Sequence, residues 1–137
     1  MSFEVYIQCF GRSELTGIPR DAVRILFPVL EAEPKHDRWK IRYDEKNSCH
    51  ISVDPLPSNA KMLISLCVER PCGHEKLWEA LISVLRMGDV VMFWPGGPPV
   101  VSGADIASRL PEEFIAGIGP AVAVQRADEI LQLLRQT

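Results

Sequence analysis

No stretch of this 137-residue chain approaches the roughly 20 consecutive apolar residues that a membrane-spanning helix needs. An excess of positive charge is missing as well. Lys and Arg number 15 against 18 Asp and Glu, a formal net charge of −3, whereas nucleic-acid binding draws most of its affinity from a dense positive field. Nucleic acid is therefore not an expected partner. The chain also lacks the phosphate-cradling patterns G-x-x-x-x-G-K-[ST] and G-x-G-x-x-G and the nucleophile elbow G-x-S-x-G. Its Gly-rich stretch, Pro95-Gly96-Gly97-Pro98-Pro99, cannot replace them, because Pro98 and Pro99 carry no backbone N–H to aim at an anion. No cofactor is expected, and no internal repeat is visible. The start, Met1-Ser2-Phe3-Glu4-Val5, has no basic segment followed by an apolar run, so a secretory leader is not expected. The expected compartment is the cytoplasm, with Cys9, Cys49, Cys67 and Cys72 as free thiols.

What is present is the composition of an ordered domain. Apolar residues make up 47% and charged residues 24%, too apolar for a disordered chain. Eleven prolines and nine glycines divide it into short elements. Residues 3–10 alternate with period two and predict a half-buried strand. Pro19 suits a first helical turn, and Val23, Leu26, Phe27 and Leu30 share one helical face until Pro28 kinks or stops it near Phe27. Residues 38–44 and 48–54 alternate on either side of a polar turn and predict a hairpin, followed by a stiff loop over 54–59. Residues 61–69 are apolar on both faces, as in a central strand, with Cys67 directed to the core. Leu77, Trp78, Leu81 and Leu85 form the stripe of a clear helix ending at Gly88, and Val90–Trp94 is a buried strand. The remainder predicts short helices near 104–110 and from Pro111, an extended link at 121–124 and a closing helix with Ala127, Ile130, Leu131 and Leu134 on one side.

This order predicts a single α+β domain over 1–137. Its core, about 1–95, is a two-layer sandwich of ferredoxin-like order β-α-β-β-β-α-β. A mostly helical C-terminal extension, about 96–137, packs against one edge.

Several side-chain groups could carry chemistry. Cys67, Cys72 and His74, with Cys49-His50, contain zinc-ligand types, but the C-x4-C-x-H spacing lacks the short pairs of a tetrahedral site, and no metal is expected. Cys72 precedes a helix start, where free N–H groups lower a thiol pKa, and His74 follows two residues on. These two residues support an alternative reading as a small enzyme or ligand-binding domain with a Cys72 nucleophile. Trp94, beside the Pro/Gly turn, and Trp78 suit either a pocket lining or the core. Arg38, Lys40 and Arg42 fall at i, i+2 and i+4, so they project from one side of a strand, with His50 and Ser52 beside them. A sheet face without helices would make them a cationic surface able to steer an acidic protein partner. Trp39 and Tyr43 point the other way, so no stacking platform for single-stranded nucleic acid forms.

Three stretches, Gly17–Val23, Trp39–His50 (WKIRYDEKNSCH) and Leu77–Pro95 (LWEALISVLRMGDVVMFWP), together resemble small single-domain bacterial proteins, largely uncharacterised, some of them similar to immunity partners in toxin systems. The resemblance implies a binding role and assigns no site residue. The leading expectation is thus a non-enzymatic cytoplasmic protein that occludes a macromolecular partner through Arg38, Lys40, Arg42 and His50. A homo-oligomer paired through the same face is a third reading.

Overall fold

A computed structural model describes residues 3–33 and 37–137; Met1 and Ser2, at the start expected to lack a leader, lie outside the described residues. Strand β1 (Glu4–Cys9) leads to a short helix α1 (Arg12–Thr16), a two-residue strand β2 (Ile18–Pro19) and a second short helix α2 (Arg20–Arg24). Four strands follow: β3 (Val29–Glu33), β4 (Arg38–Arg42), β5 (Ser48–Leu56) and β6 (Asn59–Glu69). Helix α3 (Glu75–Leu85) precedes β7 (Val90–Phe93) and β8 (Val100–Val101). The chain closes with α4 (Ala104–Ala107), α5 (Glu112–Ile118), β9 (Val122–Ala123) and α6 (Ala127–Arg135). The strands form one nine-stranded sheet in the order β3-β4-β5-β6-β1-β7-β8-β9, with β2 paired to β6. Among the described residues only β8–β9 is a parallel pair.

The fold is α+β, but the expected ferredoxin-like order is not reproduced. Among the described residues, two five-residue helices, α1 and α2, stand between β1 and β3 in place of one crossover helix. Pro28 cannot continue a helix, α2 ends at Arg24, and residues 29–33 become the edge strand β3 with Leu30 exposed. The stretch 54–59, expected as a loop, is instead the tip of a hairpin, with Leu56 opposite Asn59. Bulges around Pro55 absorb the proline's missing donor and shift the register. That shift also changes the phase of β6. Leu63, Leu66 and Val68 face the core, while Cys67 faces the other side, contrary to the expectation for Cys67.

The main core lies on one side of the sheet. Val5, Ile7, Trp39, Ile41, Ile51, Val53, Leu66 and Val68 meet Leu77, Trp78, Leu81 and Leu85 of α3 there, with α6 packed on α3. His74 caps α3, its Nδ1 accepting the Lys76 N–H at 3.2 Å. The C-terminal segment extends one edge of the sheet through β8 and β9 and also enters the core. Val100, Val124, Ala127 and Ile130 belong to the main core. On the opposite side of the sheet, Ile106 and Leu110, with Phe114 and Ile115, pack over Phe10, Val91 and Val101.

Trp78 is fully buried, and Trp94 is only 3% exposed, so both are chiefly core residues. Gly97 lies flat on the Trp94 indole; an added Cβ would stand 2.1 Å from Nε1. Gly97→Ala is accordingly expected to destabilise the fold by about 2 kcal/mol through overpacking. Gly117→Ala, in a helix with open space around it, should leave stability unchanged or raise it by up to about 1 kcal/mol. Thermal melts of the two variants compare the effects directly.

Candidate functional site

The sheet places Arg38, Lys40, Arg42 and His50 on one face, as their spacing predicts. Arg38 sits opposite Ser52, Lys40 opposite His50, and Arg42 opposite Ser48. The same row continues across the sheet from Ser52 to Cys67, then to Tyr6 and Phe93. The roof formed by α4 and α5 covers the β7–β8 end of this face, where Phe93 meets Phe114 edge-on at 5.5 Å. Tyr6 stacks on Phe93 at 5.4 Å and is 37% exposed. Both residues line a groove of about 450 Å³ together with Trp94, Gly96, Gly97 and Ile118.

The face is not cationic, which corrects the electrostatic part of the expectation. Register puts Glu33 opposite Arg38 and Glu31 opposite Lys40. Glu69 lies opposite both His50 and Glu4, and Asp54 faces Ser65. Arg38 Nε donates to Glu69 Oε2 at 2.9 Å, and Ser52 Oγ donates to the same oxygen at 3.1 Å. These bonds hold the Glu69 carboxyl below its ordinary pKa, the Arg38 hydrogen bond contributing most. The Tyr6 hydroxyl donates to Glu4 at 2.6 Å, and the Cys67 thiol donates to the same carboxylate. Burial, then the charge of Glu4, pushes Cys67 up to about 12. Lys40 and Arg42 make no ion pair among the described residues. Mixed charge of this kind selects a partner by complementarity and does not draw in acidic proteins in general.

The pairing makes Arg38 a stability residue too. With the two side chains 35% and 32% exposed, the bridge is only partly screened. Arg38→Glu would set a third carboxylate between Glu33 and Glu69 and should lower Tm by about 4 °C, a loss near 1 kcal/mol. Arg42→Glu, at an exposed position, should stay within about 0.5 kcal/mol of the parent protein. Thermal melts at low salt would show the contrast.

The second group lies on the core side, at the start of α3. One register step beyond His50–Glu69, the chain leaves β6 through Arg70, whose φ is +49°, and buried Pro71 delivers Cys72 against the core cluster that contains Cys49. His74 stacks on Tyr43 with ring centres 4.8 Å apart and 11° between planes. The Tyr43 hydroxyl is buried without a partner among the described residues, and burial raises its pKa. A hollow of about 290 Å³ lined by Leu26, Pro28, Arg42, Tyr43, His74 and Lys76 opens beside the group.

Cys72 and His74 are therefore close, but His74 Nδ1 is occupied as a helix cap. Cys67 and His50 lie across the sheet on the other face, so the candidate ligand types do not converge. Among the described residues no group of three or more His, Cys, Asp or Glu side chains could hold a metal ion. Cys49 does most to lower the Cys72 thiol to about 6, aided by the His74 backbone and ring. Cys72 in turn, with burial, raises Cys49. Iodoacetamide alkylation of Cys72 should then rise with pH to a plateau, with a midpoint near 6. At pH 7 it should be about threefold faster than a model thiol, because a lower pKa also weakens the nucleophile. The rate profile followed by peptide mapping checks both points.

A third hollow, at Gly11, Ser13, Asp89 and Arg109, is structural. Ser13 Oγ accepts the Asp89 N–H, and Arg109 donates to Asp89 Oδ1, each at 2.9 Å. Sequence reasoning does not foresee the stacking of Tyr6 on Phe93 or the place of Ile118 in the groove. Compared with protein-family models, curated proteins and solved structures, the chain matches none. No helix among the described residues is long and apolar enough to cross a membrane.

Proposed function

We propose that this chain is a non-enzymatic binding protein whose contact surface is the sheet face around Tyr6, Lys40, Arg42 and His50. The observation that carries the reading is the cross-strand row from Arg38 through Ser52 and Cys67 to Tyr6 and Phe93, lying beside the α4–α5 roof. Tyr6 and Ile118, 37% and 39% exposed, supply apolar area at the groove, and aromatic anchors dominate interface energies. The charged side chains around them form a polar rim that sets register and excludes mismatched partners. The partner is a protein of mixed surface charge. The sequence resemblance to immunity partners fits occlusion of such a target, and the four free thiols fit a reducing cytoplasm.

Affinity capture from the source-cell lysate, quantified by mass spectrometry, tests the reading. A partner should be retained by the parent protein and by a Glu79→Lys control on exposed α3 surface. It should be depleted at least tenfold by Tyr6→Ala combined with Arg42→Glu. Equal capture by all three proteins, or no specific capture, contradicts the reading.

A further inference from the structure

We propose that the outer edge of β3 takes up an extended segment of another protein as a further strand, the segment carrying Lys or Arg at two alternate positions and an apolar residue between them. Strand β3 ends the sheet order, and among the described residues no strand pairs with its free side. Half of its backbone N–H and C=O groups therefore point outward, the template that strand addition uses. The bulge between Val29 and Glu31 leaves Glu31–Glu33 as the regular part of this edge. Tyr6, on β1, lies four strands further along the sheet, so the proposal stands apart from the groove reading.

Charge selects the occupant. Glu31 and Glu33 are exposed and stand on the polar face, opposite Lys40 and Arg38. Neither makes an ion pair among the described residues, and Arg38 bonds Glu69 instead. The row Glu31–Lys40–His50–Glu69 thus ends at the edge on an uncompensated carboxylate, and Glu33 ends the next row in the same way. Opposite charges facing each other across a strand pair stabilise it, and like charges weaken it. A Lys or Arg opposite each glutamate therefore continues the alternation. The same rule excludes a second copy of this chain, because antiparallel self-pairing centred on Glu31, Ala32 or Glu33 sets glutamate against glutamate. On the core side, Ala32 lies opposite Trp39, and both line a hollow of about 240 Å³ with Arg20, Asp21, Arg24 and Glu33. The partner residue facing Ala32 turns its side chain to that side, where the Ala32 methyl and the Trp39 indole offer apolar contact.

The test titrates the full-length protein with the capped peptide Thr-Thr-Lys-Val-Lys-Thr-Thr and follows backbone amides by NMR. Saturating peptide should slow hydrogen exchange of the outward amides of β3 at least tenfold and shift the Trp39 indole signal. A peptide with both lysines replaced by glutamate should bind at least tenfold more weakly. So should one N-methylated at its three central residues, which separates main-chain pairing from charge attraction alone. Glu31→Gln combined with Glu33→Gln should weaken the lysine peptide at least tenfold, whereas Glu112→Gln, exposed on α5, should not. The proposal is overturned by the absence of any peptide-dependent change at β3, by equal binding of the lysine and glutamate peptides, or by self-association through β3 in place of peptide binding. Shifts confined to the Tyr6 groove also overturn it and leave the groove reading standing. The peptide comparisons use the unvaried protein, so they hold even if the double variant fails to fold.

Discussion

The position of β1 between β6 and β7 governs this molecule. Both neighbours run antiparallel to β1, so they are parallel to each other and their connection must cross over the strand between them. Helix α3 is that crossover. Its wide apolar stripe covers Val5, Ile7, Leu66, Val68 and Met92 and commits one side of the sheet to the core. Everything polar on the alternate positions of β1, β4, β5 and β6 is thereby sent to the opposite side. The two candidate sites follow from this division. The mixed-charge row belongs to the uncovered side, and the Cys72–His74 group belongs to the seam where β6 hands the chain to α3.

The C-terminal segment completes the arrangement by using both sides. Strands β8 and β9 extend the sheet, α6 packs on α3, and α4 with α5 roofs the far end of the polar side. The roof turns a flat, wet sheet into a surface with a wall. Tyr6 and Phe93 lie along that wall, and the Pro95–Gly97 turn, held down on Trp94, forms the adjoining lip of the groove. A Pro/Gly turn unsuited to phosphate binding thus gains a role as a rigid border.

Period-two alternation made β1, β4 and the first half of β5 legible in the sequence, and helical spacing made α3 and α6 legible, because each buries one regular face. Of the short elements, α4, α5 and β9 fall where weak patterns placed them, whereas α1, β2, β3 and β8 had no such pattern. Helix α1 and strands β2 and β8 hold their shape through neighbours, and β3, rich in glutamate, is a strand only because β4 lies beside it. The candidate face was legible in its cations and illegible in its charge. Counted from the Leu56–Asn59 pair without bulges, His50 would face Ser65; the irregularities around Pro55 bring Glu69 there instead, beside Arg38.

Native-state hydrogen exchange measured amide by amide tests the account most directly, since it reports whether both ends of the chain share one cooperative unit. The account predicts that amides of β8 and of the buried turn of α6 around Ile130 open with a free energy close to that of β1, β6 and β7. Exchange of residues 96–137 as a separate unit, while β1 and β6 remain protected, would contradict it.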